Sequence, residues 1–391
     1  MANTLALYDP LFYAQEGMIA LRKKLGMAVR IHRGFDKSPQ QKGSTIMISA
    51  PSNFSVTDVN PSTGGTTQDL APGQTSIVLN KWKEVKFGLT DKELTFTTQK
   101  IIEDHIEPAA YAIANQIDLD LNTLVTDVPW IYNATTNLPV SDITNVRKML
   151  FDNGVDVNGD NLFWELDSQA EAWLLANSAF TQNQGSGQAG VEAQLSGFLG
   201  RRYNFGFFAN QNTPMVAMGG DADLAGVASA AIKGAKTMNV TGLGATAVIK
   251  AGDPFMIAGH SQQYVATANA TASAGTITGL QFTTNNPFCD GLQIATAGSE
   301  VVTFLTGAAP ATKSNNIAFH RNAFALAMAP LSDMGNQLGA RIESITDPIT
   351  GLSIRARVFY LPDNSTVKVA LDVLYGMKTL DSTRAVRVKM P

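Results

Sequence analysis

Apolar residues recur at Ile102, Ile106, Ile113, Ile117, Leu121 and Leu124, at steps of three, four or seven. That spacing places them on one side of a helix and predicts a single long helix over 94–125. Thr97 or Thr98 supplies a cap at its start, and Pro129 stops it. Pro108 falls inside the pattern. Its missing N–H and its ring clash with the preceding turn, so a kink or break is expected near Asp104 to Glu107. No set of catalytic side chains shares this stretch, and it reads as a beam.

The patterning elsewhere is mostly shorter. Residues 10–26 put Leu11, Met18, Leu21 and Leu25 on one side of an amphipathic helix. STIMISAP and SIVLNKWKEVKF each alternate, with a polar tip from Pro51 to Thr75 between them, which is a long hairpin over 44–88. The tip has too few apolar residues to pack on itself, so the hairpin is expected to lean on something, with another subunit as the natural candidate. SDITNVRKMLFDNG reads as a helix closed by Asn153-Gly154, NLFWELD as a strand, and SQAEAWLLANSAF as a second helix. DADLAGVASAAIKGA is expected to be a helix or an irregular Ala-rich segment. From about 236, short β-like runs alternate with Gly and Asn turns, predicting a small all-β insertion of five to seven strands. NIAFHRNAFALAMAPL returns as an apolar strand, and the last 40 or so residues form two or three alternating strands, with a turn at Leu361 to Ser365.

Charge divides these regions. Residues 1–43 carry seven cations, including Arg22, Lys23 and Lys24, against three acids; 91–127 carry two cations against eight acids, Glu103 and Glu107 among them. Opposite signs suit contact between arm and helix, or between copies, although each surface pair contributes only about 0–1 kcal/mol. The bland alternative for the arm is a packed terminal segment. No Lys or Arg occurs from Ala251 to Thr312. At 391 residues the chain can bury two or three cores. A net charge of −4 argues against a protein that lives by gripping nucleic acid. The single cysteine, Cys289, excludes an internal disulfide framework. MANTLALYDPLF lacks the basic start and apolar run of a signal peptide, and no window is apolar enough to span a membrane, so a reducing cytoplasm is expected. The Asn-x-Ser/Thr sites are then chance.

Candidate chemistry is sparse. Gly185, Gly187 and Gly190 match G-x-G-x-x-G, but a helix precedes them and the position 20 beyond Gly190 is Asn210, so a loop is the better reading. His32, His105, His260 and His320 lack metal spacing. Asp156, Asn158 and Asp160 resemble a calcium loop that has Asp167 where its closing Glu belongs, and a turn is expected instead. No catalytic, cofactor-binding or metal-ligating residue is assigned, and the chain is expected not to be an enzyme.

The order of parts, together with IIEDHIEPAAYAIANQIDLDLN, GFLGRRYNFGFFANQN, IKAGDPFMIAG and VALDVLYGMKTLDSTRAVRV, resembles the major capsid proteins of tailed phages. It is most similar to the coat proteins of Salmonella-type podoviruses, which carry an inserted β domain. The resemblance implies an α+β Hong-Kong-97-like capsid fold: an N-terminal arm over 1–43, an E-loop hairpin over 44–90, a spine helix and P-domain over 91–140, an A-domain over 141–235, an inserted small β-barrel over 236–313, an A-domain return over 314–334, and P-domain and C-terminal strands over 335–391. It implies self-assembly into hexamers and pentamers of an icosahedral shell around double-stranded DNA contacted non-specifically. It also implies a scaffolding protein during assembly in the host cytoplasm, a portal, a candidate decoration protein, no cofactor and no membrane. Arg22, Lys23, Lys24, Trp82, Glu103 and Glu107 are the candidate intersubunit contacts, and Pro108 the candidate spine kink. An encapsulin-type nanocompartment shell and a secreted β-rich adhesin or carbohydrate-active protein are the alternatives. The β insertion counts against the first, and the long helix and missing signal peptide against the second.

Overall fold

The structure, a computed structural model, describes residue 14 and residues 26–33, 45–50, 54, 56–59, 67–68, 72–90, 107–182, 188–331, 341–346 and 353–391. A buried turn at Met27–Val29 comes first. The hairpin strands β1 (Thr45–Ala50) and β2 (Gly73–Val78) and the strand β3 (Lys81–Thr90) follow. Helix α1 (Glu107–Asn122) runs into a 3-10 turn at Thr123–Asp127. The α/β part then comprises β4 (Ile131–Asn133), α2 (Val140–Asp152), β5 (Leu162–Leu166), α3 (Ser168–Ala176), α4 (Ser178–Thr181), α5 (Gln188–Ser196), β6 (Arg201–Arg202), β7 (Phe205–Ala209) and β8 (Met215–Met218). A run of short strands holds β9 (Ala225–Ala228), β10 (Thr237–Thr241), β11 (Val248–Ile249), β12 (Pro254–Ile257), β13 (Gln263–Ala266), β14 (Ala270–Thr271), β15 (Ile277–Thr283) and β16 (Val301–Phe304). The chain closes with β17 (Ala311–His320), β18 (Phe324–Ala329), β19 (Arg341–Thr346), β20 (Ser353–Leu361), β21 (Thr366–Thr379) and β22 (Ala385–Lys389).

These strands build three larger bodies, beside the two-stranded pairings β1-β2 and β11-β14. A five-stranded antiparallel sheet is organised on β21, which pairs with β3, β20 and β18, with β19 outside β20. Its inner side packs against α1, where Ile113, Ile117, Leu121 and Leu124 of the helical stripe are all buried. A seven-stranded sheet in the order β4-β22-β17-β5-β7-β6, with β8 on β17, carries α2 and α3 on one side. The third body is a closed six-stranded barrel, β10-β15-β13-β12-β16-β9. Its interior is filled by Phe255, Tyr264, Phe282 and Phe304, whose rings meet edge-on, tilted or stacked at 5.3–5.7 Å. Interdigitated side chains, with no edge left unpaired, account for its closure.

Three expectations are corrected. DADLAGVASAAIKGA is irregular except at Ala225–Ala228, which form β9, the strand that closes the barrel. Its alternation is carried by Gly226 and Ala228 facing inward, and a Cβ at Gly226 would fall 2.7 Å from Val240, so only glycine lets the strands approach. The barrel strands thus run from Ala225 to Phe304, starting before residue 236. Second, SIVLNKWKEVKF is not one arm of the hairpin. The chain turns at Asn80, whose N–H donates to the Val78 carbonyl, and β3 leaves β2 to join β21. Third, the hairpin base has a core: Ile46, Ile77 and Leu79 pack on Ala325 and Ala327 of its own subunit. Gly376 makes that crossing possible, since a Cβ there would lie 2.2 Å from the Val78 carbonyl oxygen.

Candidate assembly surfaces

Of the residues singled out as contacts, Arg22, Lys23, Lys24 and Glu103 lie outside the described residues, as does the side chain of Glu107. The kink expected near Asp104 to Glu107 falls at the same border. Pro108 stands exposed near the start of the described part of α1.

Trp82 sits on the outer side of the five-stranded sheet, 59% exposed, and its indole N–H donates to Asp372 Oδ2 at 3.1 Å. Asp372 itself is fully buried. It receives Arg355 through Nε at 3.0 Å and Nη2 at 2.6 Å, and Arg357 at 3.2 Å, while Arg357 also reaches Glu84 at 2.5 Å. Strand register produces this convergence: Glu84, Asp372 and Arg355 stand side by side on β3, β21 and β20. Lys86 lies over the Phe359 ring at 5.1 Å. This side of the sheet therefore offers an aromatic ring and a fixed pattern of charge to a neighbour.

The hairpin tip offers the opposite character. Phe54, Val56 and Val59 are 63%, 99% and 79% exposed. On the α/β part, Phe151, Leu195 and Phe198 are exposed as well. Scattered apolar residues on a surface mean little on their own.

Two of the acids on the long helix point inward. Asp118 and Asp120 are buried. Asp120 accepts from the Tyr375 hydroxyl at 2.6 Å and Gln116 at 3.0 Å and pairs with Lys81 at 3.2 Å. Burial alone would raise its carboxyl, but the donors from Tyr375 and Lys81 outweigh that and hold it below its ordinary value. Asp118 accepts the Met27 backbone N–H at 2.7 Å, Asn210 at 2.5 Å and Asn212 at 3.2 Å. The turn at residues 26–31 thus touches α1 through the Met27 backbone, while Arg22, Lys23 and Lys24 lie outside the described residues.

Two buried charges were not legible as such. Glu165, on β5, is fully buried with neither carboxyl oxygen in a hydrogen bond. Burial, and then the charge of Asp118, push it up to about 8, against a pull from the Asn122 and Asn210 amides and from Arg30. Arg387, on β22, is fully buried and donates to the Gly252 carbonyl at 2.7 Å. Burial pushes it down to about 10, opposed by Asp253 and Asp127.

The barrel is fastened to the rest at the same place. Asn285 donates to the Asp127 carbonyl at 3.0 Å, and the Ser382 N–H donates to the Asn285 carbonyl at 3.1 Å. The Ser382 hydroxyl donates to the Thr284 carbonyl. A Cβ at Gly73 would lie 2.4 Å from the Pro287 carbonyl oxygen, so the hairpin touches the barrel loop directly. His32, Phe288, Asn322 and Arg384 line a cleft of about 300 Å³ between them.

Of the motifs weighed for chemistry, the 156–160 loop is a turn held by Arg201, which donates to the carbonyls of Gly159 and Asp160 at 3.1 and 3.0 Å. His260 pairs with the Tyr264 hydroxyl at 2.6 Å, and His320 Nδ1 accepts from the Asn322 N–H at 3.2 Å. No helix among the described residues is long and apolar enough to cross a membrane.

No protein-family model matches the chain, and no curated protein matches it. Solved structures do. A chain of Mycobacterium phage Che8 superposes with a TM-score of 0.50 at 12% identity, over 93% of this chain and 90% of that one. The capsid structure of cyanophage P-SCSP1u gives 0.47 at 9% identity, over 90% and 84%. The mature capsid of bacteriophage PhiM1 gives 0.46 at 10% identity, over 92% and 88%. At these identities the similarity is one of fold, and with the Che8 chain it runs nearly end to end.

Proposed function

We propose that this chain is the major capsid protein of a tailed phage, a coat subunit with a Hong-Kong-97-like fold that assembles with copies of itself into an icosahedral shell around double-stranded DNA. The observation that carries the reading is the end-to-end similarity of fold to the phage Che8 chain. The exposed apolar residues of the hairpin tip, Phe54, Val56 and Val59, accord with it, since a neighbouring subunit would cover them.

In this reading the arm, the hairpin and the spine helix make the intersubunit contacts, with Arg22, Lys23, Lys24, Trp82, Glu103 and Glu107 among them. The α/β part forms capsomer centres, and the barrel braces the subunit. A scaffolding protein, a portal and a candidate decoration protein are the further partners. A net charge of −4 suits a wall against which DNA is packed without sticking. The barrel inserted in the α/β part supports the similarity to Salmonella-type podovirus coat proteins.

Electron microscopy of the purified full-length chain, expressed alone and with its neighbouring genes, tests this. Empty or DNA-filled icosahedra are expected. Small shells loaded with a protein cargo would replace the reading with a nanocompartment, and a stable monomer under all conditions would overturn both.

A further inference from the structure

Three segments meet at Glu165. The turn at residues 26–31 comes from the arm, with Met27, Ala28 and Ile31 fully buried beneath it. Helix α1 brings Asp118 and Asn122. The seven-stranded sheet brings Glu165 on β5 and Asn210 just after β7. Polar contacts tie the turn and the residue after it to the rest of the subunit, the Leu326 N–H donating to the His32 carbonyl among them. Its Met27 N–H donates to Asp118 Oδ1, its Arg30 guanidinium lies 4.0 Å over the Phe208 ring and donates to the Gly26 carbonyl, and its His32 N–H donates to the Phe324 carbonyl at 3.2 Å. Gly26 is pressed onto the same carboxylate, since a Cβ there would lie 3.1 Å from Asp118 Oδ1.

Much of the hydrogen-bonding capacity at the junction is committed elsewhere, and the Asn122 and Asn210 amides are the polar groups nearest Glu165. Both Asp118 oxygens are taken by Met27, Asn210 and Asn212. Asn122 donates one of its two amide N–H groups to the Asp118 carbonyl at 3.0 Å. Glu165 is flanked in its own sheet by Ile317 and Phe208, which offer no donor. The charged groups facing it are Asp118 from α1 and Arg30 from the turn. Asp167, two residues along the strand, spends Oδ1 on the Ala170 N–H and Asn316. A carboxyl so placed keeps its proton as long as the turn stays down, because a second anion beside Asp118 with no solvent is costly.

We propose that Glu165 makes the seat of the 26–31 turn a proton-controlled latch: while Glu165 is neutral the turn closes over the junction, and loss of its proton favours lifting of the turn from α1. Lifting lets water reach Glu165 and takes Arg30, the cation that faces it among the described residues, away from it. The latch therefore loosens as pH rises and stops loosening once Glu165 is ionised in the closed state as well. The partner it controls is the arm of this same chain, which the turn joins to the spine.

Amide hydrogen exchange on the full-length chain between about pH 5 and 9 tests this, read as protection of peptides spanning 26–33 after correction for the intrinsic rate. In the wild type, protection is expected to fall by up to about tenfold per pH unit and to level off near pH 8. In Glu165→Gln it is expected to stay flat. In Asp118→Asn, which keeps an oxygen for Met27, it is expected to level off at lower pH, because the like charge beside Glu165 is gone. Flat protection in the wild type, or a wild-type slope in Glu165→Gln, overturns the proposal. Should Glu165→Gln not fold, an infrared titration of the folded wild type decides it. A protonated carboxyl lost between pH 7 and 9, and lost at lower pH in Asp118→Asn, is expected. Its absence at pH 7 overturns the latch.

Discussion

Two guanidinium groups and an indole converge on one carboxylate, Asp372, that has no contact with solvent. Breaking such a set from the acid side leaves Arg355, itself nearly buried, without its counter-charge. Asp372→Ala is therefore expected to cost about 3–5 kcal/mol, read as a drop in the urea midpoint of the subunit. Glu165 acts in the other direction. Its carboxyl ionises near 4.5 when free and near 8 when folded. Between those values the folded chain holds a proton that the unfolded chain has released. Stability is thus full below about pH 4.5, falls by up to about 1.4 kcal/mol per unit as pH rises, and declines no further above about 8. Glu165→Gln should remove that slope and raise the urea midpoint at pH 7–8 above that of the wild type. An unchanged or lower midpoint there would mean that packing around the carboxyl, not its proton, dominates.

In the proposed coat subunit, the hairpin divides its work between subunit and shell. Its base is anchored by Ile46, Ile77 and Leu79, while its tip presents bare apolar side chains. Trp82, just beyond it on β3, has one bond inward and most of its ring outward. Trp82→Ala should therefore reduce assembly yield far more than it lowers the subunit's urea midpoint; equal losses would make Trp82 an internal residue. Gly73→Ala should push the hairpin off the Pro287 carbonyl, and the expected readout is faster proteolysis between residues 51 and 72 than in the wild type. What could be read beforehand follows from the same physics. The stripe Ile113 to Leu124 is long and periodic, so one side of α1 was plain, and Asn153-Gly154 marked the end of α2 because Gly154 takes a positive φ of 76°. β9 was hidden, since a four-residue strand of Ala, Gly and Val carries no period long enough to read. Glu165 was hidden for a different reason. In Leu162–Leu166, Leu162, Trp164 and Leu166 fill one side of the strand, so Glu165 looked like a solvent position until α1 was seen to cover that side.

At the scale of the molecule, the barrel is less an appendage than a clamp. It reaches the end of the spine through Asn285, the last turn before β22 through Ser382, and the hairpin through the Pro287 loop. It also caps Arg387, whose Nε and Nη1 have no partner and whose guanidinium donates to the barrel's Gly252. Excising the barrel between Asp221 and Ala308 with a short Gly-Ser bridge spares β8 and β17, whose pairing at Ala311–Met218 brings the cut ends close. The shortened subunit is expected to fold poorly, because a buried cation loses its acceptor and its nearby carboxylate Asp253 together. If that loss is the dominant cost, adding Arg387→Met should restore part of the soluble yield. If instead the clamp on spine and hairpin dominates, Arg387→Met should leave the yield low. Shells of altered size or none should form even from the fraction that folds. Normal shells from the excised chain would show that the barrel braces nothing.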